Sequence, residues 1–162
     1  MSRIRVLLVE DNPGDVDLTR ETLENSRPNL EISVAVDGVE AMNMLRGRGK
    51  HSAMMRPDVI LLDLNLPKKD GRQILSEIKE DAELRHIPVV ILTSSDAERD
   101  IAQSYAIGAN CYVTKPVDLR AFQSVLGAVK TFWFDVVKLP VRAQGEGGPA
   151  HPDPPVAGCY RS

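Results

Sequence analysis

The stretch DVILLDLNLPKKDG, residues 58–71, opens on four unbroken apolar residues, Val59 to Leu62, and sets a carboxylate, Asp63, where they stop. A run this short and apolar on both faces suits a strand covered on both sides, the condition of a parallel sheet flanked by helices. Pro67 and Gly71 punctuate the turn that follows, and Ile74, Leu75 and Ile78 then recur at helical spacing, so the segment reads strand, loop, helix. Asp63 therefore stands at the carboxyl end of a central strand, where a charged group needs a reason.

The same alternation extends in both directions. Arg5 to Val9 is a short apolar strand, followed by Asn12 as cap and Pro13 in the first helical position of a helix reaching about Ser26. Leu30, Ile32, Val34 and Val36 alternate with polar or small residues, the mark of a half-buried edge strand. Asp37 and Glu40 have capping-box spacing and open a helix to about Arg48. Residues 88–92 make a fourth strand, and Ser95 and Glu98 repeat the capping-box spacing before a helix to about Gly108. Cys111 to Thr114 is a fifth strand, and Asp118 starts a last helix running to about Leu139. Five strands alternating with five helices predict a three-layer, doubly wound α/β fold with a parallel sheet in the flavodoxin-like order 2-1-3-4-5.

Composition removes several classes of function. At 162 residues and 43% hydrophobic content the chain is one domain with a substantial core, and its formal charge of -3 argues against a nucleic-acid surface. No stretch approaches the ~20 apolar residues of a membrane span. The two cysteines, Cys111 and Cys159, have no disulfide-framework or metal spacing. The expected location is the cytoplasm.

In a doubly wound sheet, ligands sit beyond the carboxyl ends of the strands. There the first strand offers Glu10 and Asp11, the third Asp63, the fourth Thr93, and the fifth is followed by Lys115. Alone, each of these is a plausible loop residue or helix cap. Together they would place three carboxylates on one rim, where two unit charges about 4 Å apart repel by roughly 4 kcal/mol at an effective dielectric near 20. A hard cation such as Mg²⁺ relieves that repulsion, Lys115 adds a fixed positive charge and Thr93 a hydroxyl. Such a site suits a phosphoryl group, with Asp63 as nucleophile and acceptor. His51 and His86 read as surface residues, Met42, Met44, Met54 and Met55 as packing, and Lys68 and Lys69 as solvated loop charges or an attraction for a phosphorylated partner.

VLLVEDN (6–12), VILLDLNLPKKDG (59–71), VVILTSS (89–95) and YVTKP (112–116) resemble the receiver domain of two-component response regulators, over residues 4 to about 138. The resemblance implies Asp63 as phospho-acceptor, Glu10, Asp11, Asp63 and the backbone carbonyl of Asn65 as Mg²⁺ ligands, and Thr93 and Lys115 on the phosphoryl oxygens. It also implies a cis Lys115–Pro116 peptide and Tyr112 as a switch aromatic responding to Thr93. DNPGDVDLTRETL, DLNLPKKDGR, SYAIGANCYVTKPVDL and FWFDVVKLP are similar to the single-domain regulators of bacterial and cyanobacterial phytochromes, which implies a light-sensing histidine kinase as phosphodonor. Two other readings of the site are an aspartate-nucleophile phosphatase and a phosphorylation-independent adaptor. The phosphatase would want an acid where Asn65 stands, and the adaptor would have lost site residues. A flavodoxin would want a phosphate-binding first loop where Glu10-Asp11-Asn12 would repel one.

The expected receiver domain is 1–139, its last helix roughly 30 Å long. Phe132, Trp133 and Phe134 would spread across about 200° of that helix, too far for one face to bury, and with Val137 they predict a homodimer surface. Residues 139–162 contain five prolines and four glycines, and the tail 140–162 is expected to be unstructured.

Overall fold

The computed structural model describes residues 3–26, 28–47 and 56–140. Five strands, β1 (Ile4–Val9), β2 (Leu30–Ala35), β3 (Val59–Leu62), β4 (Val89–Thr93) and β5 (Cys111–Thr114), alternate with five helices. These are α1 (Pro13–Ser26), α2 (Gly38–Arg46), α3 (Gly71–Glu80), α4 (Glu98–Ile107) and α5 (Leu119–Lys130). The sheet is parallel throughout, in the order β2-β1-β3-β4-β5. His51, Met54, Met55 and the tail 141–162 lie outside the described residues.

The unbroken apolar runs of β3 and β4 are explained by burial on both faces. Leu7, Val9, Ile60, Leu62 and Ile91 point into one layer with Met42, Leu45, Ile74, Leu75 and Ile78 of α2 and α3. Val6, Leu8, Val59, Leu61 and Val90 point the other way, onto Leu23 of α1 and Val129 of α5. Each fully buried Leu, Ile or Val contributes about 1.5–3 kcal/mol by area bookkeeping, so the three central strands hold the sheet. β2 is half-buried and ends at Ala35, one residue before the expected Val36, which is exposed. Met42 and Met44 are core residues, and His86 is a surface loop residue.

Local capping follows the sequence in three places. Asn12 Oδ1 accepts the Asp15 N–H at 3.0 Å, Asp37 Oδ1 accepts the Glu40 N–H at 2.8 Å, and Asp118 Oδ2 accepts the Ala121 N–H at 2.9 Å. It fails at Ser95. α4 begins only at Glu98 and is capped by Ala97 with no side-chain bond, while the Ser95 hydroxyl donates to Asp100 Oδ2 at 2.6 Å and accepts the Ala97 N–H at 3.4 Å.

The last helix departs most from expectation. α5 stops at Lys130 and continues as a π-helical turn, Thr131–Val136, in which the Val137 N–H reaches back five residues to the Phe132 carbonyl at 2.9 Å. A wider turn advances successive side chains by a smaller angle, so Trp133 and Phe134 both turn inward. They are 2% and 6% exposed, packed in the cluster that Leu23 of α1 and Val129 of α5 form with the sheet, and of the turn's apolar residues Phe132 (44%) and Val136 (64%) are the exposed ones. Of the residues expected at a homodimer surface, Trp133 and Phe134 are therefore corrected to core residues, Val137 is half-buried and Phe132 stays exposed.

Candidate functional site

Register builds the site. Val9 of β1 pairs with Leu62 of β3, so the next residues, Glu10 and Asp63, emerge side by side. The Asp63 N–H donates to the Val9 carbonyl at 3.1 Å and the Glu10 N–H to the Ala35 carbonyl at 3.0 Å. Thr93 pairs with Thr114, and the Lys115 N–H donates to the Thr93 carbonyl at 2.7 Å, which brings the lysine to the same rim.

Carboxylate oxygens of Glu10, Asp11 and Asp63 lie within 4.8 Å of one another. Glu10 and Asp63 are buried, Asp11 exposed. The Lys115 ammonium stands among them, 2.8 Å from Glu10 Oε1 and 3.1 Å from Asp63 Oδ2, and reaches Asp15 Oδ2 of α1 at 2.9 Å. Asp63 Oδ1 accepts the Asn65 N–H at 3.1 Å. Burial pushes the Glu10 carboxyl up to about 7, the neighbouring Asp63 charge pushes the same way, and Lys115 pulls back only in part. Burial alone would lower Lys115, but Asp15, Glu10 and Asp63 outweigh it and hold the ammonium above its ordinary value. A hard divalent cation fits this donor set. Its ligands are carboxylate oxygens already gathered within bridging distance, and the pocket is open enough on the Asp11 side for retained waters.

Five of the expected residues, Glu10, Asp11, Asp63, Asn65 and Lys115, line one pocket. Thr93 does not. It is fully buried at the end of β4, its hydroxyl has no hydrogen-bond partner among the described residues, and Ser94 forms the pocket wall in its place. The Lys115–Pro116 peptide, expected cis, is trans, as are all peptides among the described residues. The two isomers of such a bond differ by only about 0.5–1 kcal/mol, so the dipeptide alone could not choose. Tyr112 is half-buried, its hydroxyl donating to the Ser95 carbonyl at 2.8 Å. Lys68, at φ 67°, is a left-handed residue whose ammonium lies 3.4 Å from Asp37, and Lys69 pairs with Glu77 on α3.

Three contributors went unread in the sequence. Asp15 has the position of an ordinary first-turn acid of α1, and only its place on the helix following Glu10-Asp11 links it to their rim. Ser94 was passed over for Thr93. Arg72 ties the start of α3 to the first turn of α4, bonding Asp70 at 3.2 Å and Asp100 at 2.6 Å, and Asp100 in turn holds Ser95 of the β4–α4 loop. No spacing rule pairs residues 28 apart.

The family model described as "Response regulator receiver domain" matches residues 6–138. Over 135 residues the chain is 44% identical to Response regulator Rcp1 of Synechocystis sp. (strain ATCC 27184 / PCC 6803 / Kazusa), covering 83% of this chain and 92% of that protein. Among solved structures it is similar to the phosphorylated cyanobacterial phytochrome response regulator RcpA, with 45% identity and a TM-score of 0.84 over 86% of this chain and all of that one. It is also similar to the Mn(2+)-bound form of Rcp1, at 43% identity and a TM-score of 0.83 over 85% and 99%. With the acidic rim, the lysine and this breadth of match, the chain belongs to the two-component response regulators as a receiver domain.

Proposed function

We propose that this protein is a phosphorylation switch in which Asp63 accepts a phosphoryl group from a sensor histidine kinase, with Mg²⁺ bound by Glu10, Asp11, Asp63 and the carbonyl of Asn65. The observation that carries the reading is the convergence of Asp63 with two further acids within 4.8 Å and with the Lys115 ammonium at 3.1 Å. That arrangement offers an anionic nucleophile and the positive charge needed to bring a dianionic phosphoryl group to it. A bound Mg²⁺ would supply charge neutralisation on the phosphoryl oxygens.

Asp63 attacks phosphorus through a carboxylate oxygen. The new O–P bond forms as the N–P bond of the phosphohistidine breaks, and the departing imidazole nitrogen keeps the electron pair and takes a proton from water. Lys115 donates to one phosphoryl oxygen, and the otherwise unpartnered Thr93 hydroxyl turns to another. The protein turns over only its own phosphorylation and slow hydrolysis, acting as a switch and not as an enzyme on other substrates.

Movement of Thr93 carries Ser94 and Ser95 with it, and so bears on the bond between Ser95 and Tyr112. Tyr112 is thereby the candidate switch residue, through a shift between two packings of the β4–α4 loop. A phytochrome-type kinase is the favoured donor, because RcpA is a cyanobacterial phytochrome response regulator at 45% identity. A cytoplasmic location fits that partner, and no helix among the described residues is long and apolar enough to cross a membrane.

Incubation with acetyl phosphate and Mg²⁺, followed by intact mass, is expected to show one added phosphoryl group, lost when EDTA replaces the metal. No added mass at any donor concentration would overturn the reading.

A homodimer through the end of α5 is part of the proposal, now resting on Phe132 and Val136, since Trp133 and Phe134 are committed to the protein's own core. Sedimentation of the unmodified and phosphorylated protein at micromolar concentration tests it. Phe132→Glu should convert dimer to monomer, and a wild-type monomer in both states would reject the interface.

A further inference from the structure

An ammonium has three hydrogens, and in Lys115 all three are taken by carboxylates, those of Glu10, Asp15 and Asp63. These acceptors are not equivalent. Glu10 and Asp63 belong to the group close enough to share a cation, and Asp15 does not. Asp15 sits on α1, 100 positions from the lysine, and remains 28% exposed at its side chain where Glu10 is 4%.

A cation drawn to Glu10 and Asp63 takes up oxygen lone pairs that Lys115 now uses, and phosphorylation of Asp63 turns its charged carboxylate into the uncharged acyl end of a mixed anhydride, with the negative charge moved to the phosphoryl oxygens. Two of the three bonds weaken when the site is loaded, and the bond to Asp15 is untouched by either event. The geometry points to Asp15 as a positioning residue for phosphoryl transfer. It keeps the Lys115 ammonium at the rim while the hydrogen released by Asp63 turns to a phosphoryl oxygen. This rests on the reading of Asp63 as acceptor.

The Asp15 backbone N–H caps on Asn12 whatever the side chain, so substitution leaves the start of α1 intact. The test uses the full chain, acetyl phosphate as donor and saturating Mg²⁺. Asp15→Ala is expected to slow the maximal rate of phosphorylation by about tenfold, the scale of a misplaced catalytic group, with donor half-saturation unchanged. The affinity for Mn²⁺ alone, read by calorimetry, should not change. Asp15→Glu should recover much of the rate, and Asp15→Asn, isosteric but neutral, should stay slow. In a Lys115→Ala background, Asp15→Ala should cost nothing further, because both act through the same ammonium.

Wild-type rates in Asp15→Ala would overturn the inference, as would the same tenfold loss with Lys115 absent, or a loss of Mn²⁺ affinity that accounts for the slower rate. A wild-type protein that takes up no phosphoryl group defeats the reading of the site and this inference with it. Normal wild-type uptake together with an unimpaired Asp15→Ala removes the inference alone.

Discussion

Asp63→Asn is expected to abolish phosphoryl uptake from acetyl phosphate and, in metal-free buffer at pH 8, to make the protein more stable by about 1–2 kcal/mol. The two effects share one cause. Asp63 is a buried carboxylate within reach of two others, and repulsion at such distances is worth roughly 4 kcal/mol at an effective dielectric near 20. The lost contact to Lys115 offsets part of that relief. The ammonium is not stranded, because Glu10 and Asp15 remain at 2.8 and 2.9 Å. An amide oxygen in place of Oδ1 can still accept the Asn65 N–H, so the loop survives.

The sign of the pH dependence follows from Glu10. Its carboxyl is raised from 4.5 to about 7, so the folded protein holds that proton more tightly than the unfolded chain does. Stability is therefore lost as pH rises from about 4.5 to about 7. Without the charge of Asp63 the shift shrinks and the window narrows from its upper end. Urea midpoints at pH 5 and pH 8 check this. The variant and wild type should nearly coincide at pH 5 and separate at pH 8. A variant no more stable at pH 8, or one still phosphorylated, would contradict the electrostatic account of the site.

Gly71→Ala is expected to cost about 3 kcal/mol of stability, at the upper end of ordinary overpacking, and to slow phosphorylation of the surviving folded protein by about a hundredfold. A methyl group at Gly71 would lie 2.4 Å from the carbonyl oxygen of Asp63 and 2.5 Å from Leu64 Cα. Both are backbone atoms, and the Gly71 N–H is already clasped to the Leu64 carbonyl at 3.0 Å, so neither side can give without moving the acceptor. Gly127 is the control. Nothing lies within 4 Å of a methyl placed there, in the middle of α5, and Gly127→Ala should stabilise by about 0.5–1 kcal/mol through helix propensity. Denaturant midpoints for the pair, with phosphorylation rates measured well below the transition, separate a steric clash at the site from a general intolerance of alanine. Equal behaviour of the two variants would refute the argument.

Much of the fold was written locally. The run Val59 to Leu62 forms the strand covered on both faces that it suits, the caps at Asn12, Asp37 and Asp118 lie within three residues of the groups they bond, and Ile74, Leu75 and Ile78 form the buried face of α3. The acidic rim was legible for a different reason. A parallel sheet sends every strand's carboxyl end to one edge, so strand ends alone were enough to gather Glu10, Asp11, Asp63 and Lys115.

The misreadings mark where local rules compete with distant partners. Ser95 has the spacing of a cap but stands before a helix that starts only at Glu98, and its hydroxyl donates to Asp100, itself oriented by Arg72 on another helix. Helical geometry put Phe132, Trp133 and Phe134 around a cylinder, yet the chain turns π-helical there and two of them are buried against the sheet, where removing apolar area from water is favourable. The isomer at Lys115–Pro116 was below the resolution of any sequence rule.

From the order of residues alone came the sheet, its strand order and the three acids at the strand ends, since hydrophobic period and chain direction are properties of short segments. Tertiary structure decided which carboxylate holds which hydrogen of Lys115, that Thr93 lies beneath the pocket with Ser94 forming its wall, and which aromatics meet water. Those outcomes turn on a few ångströms between residues as many as 105 positions apart, and no pattern confined to neighbours encodes such a distance.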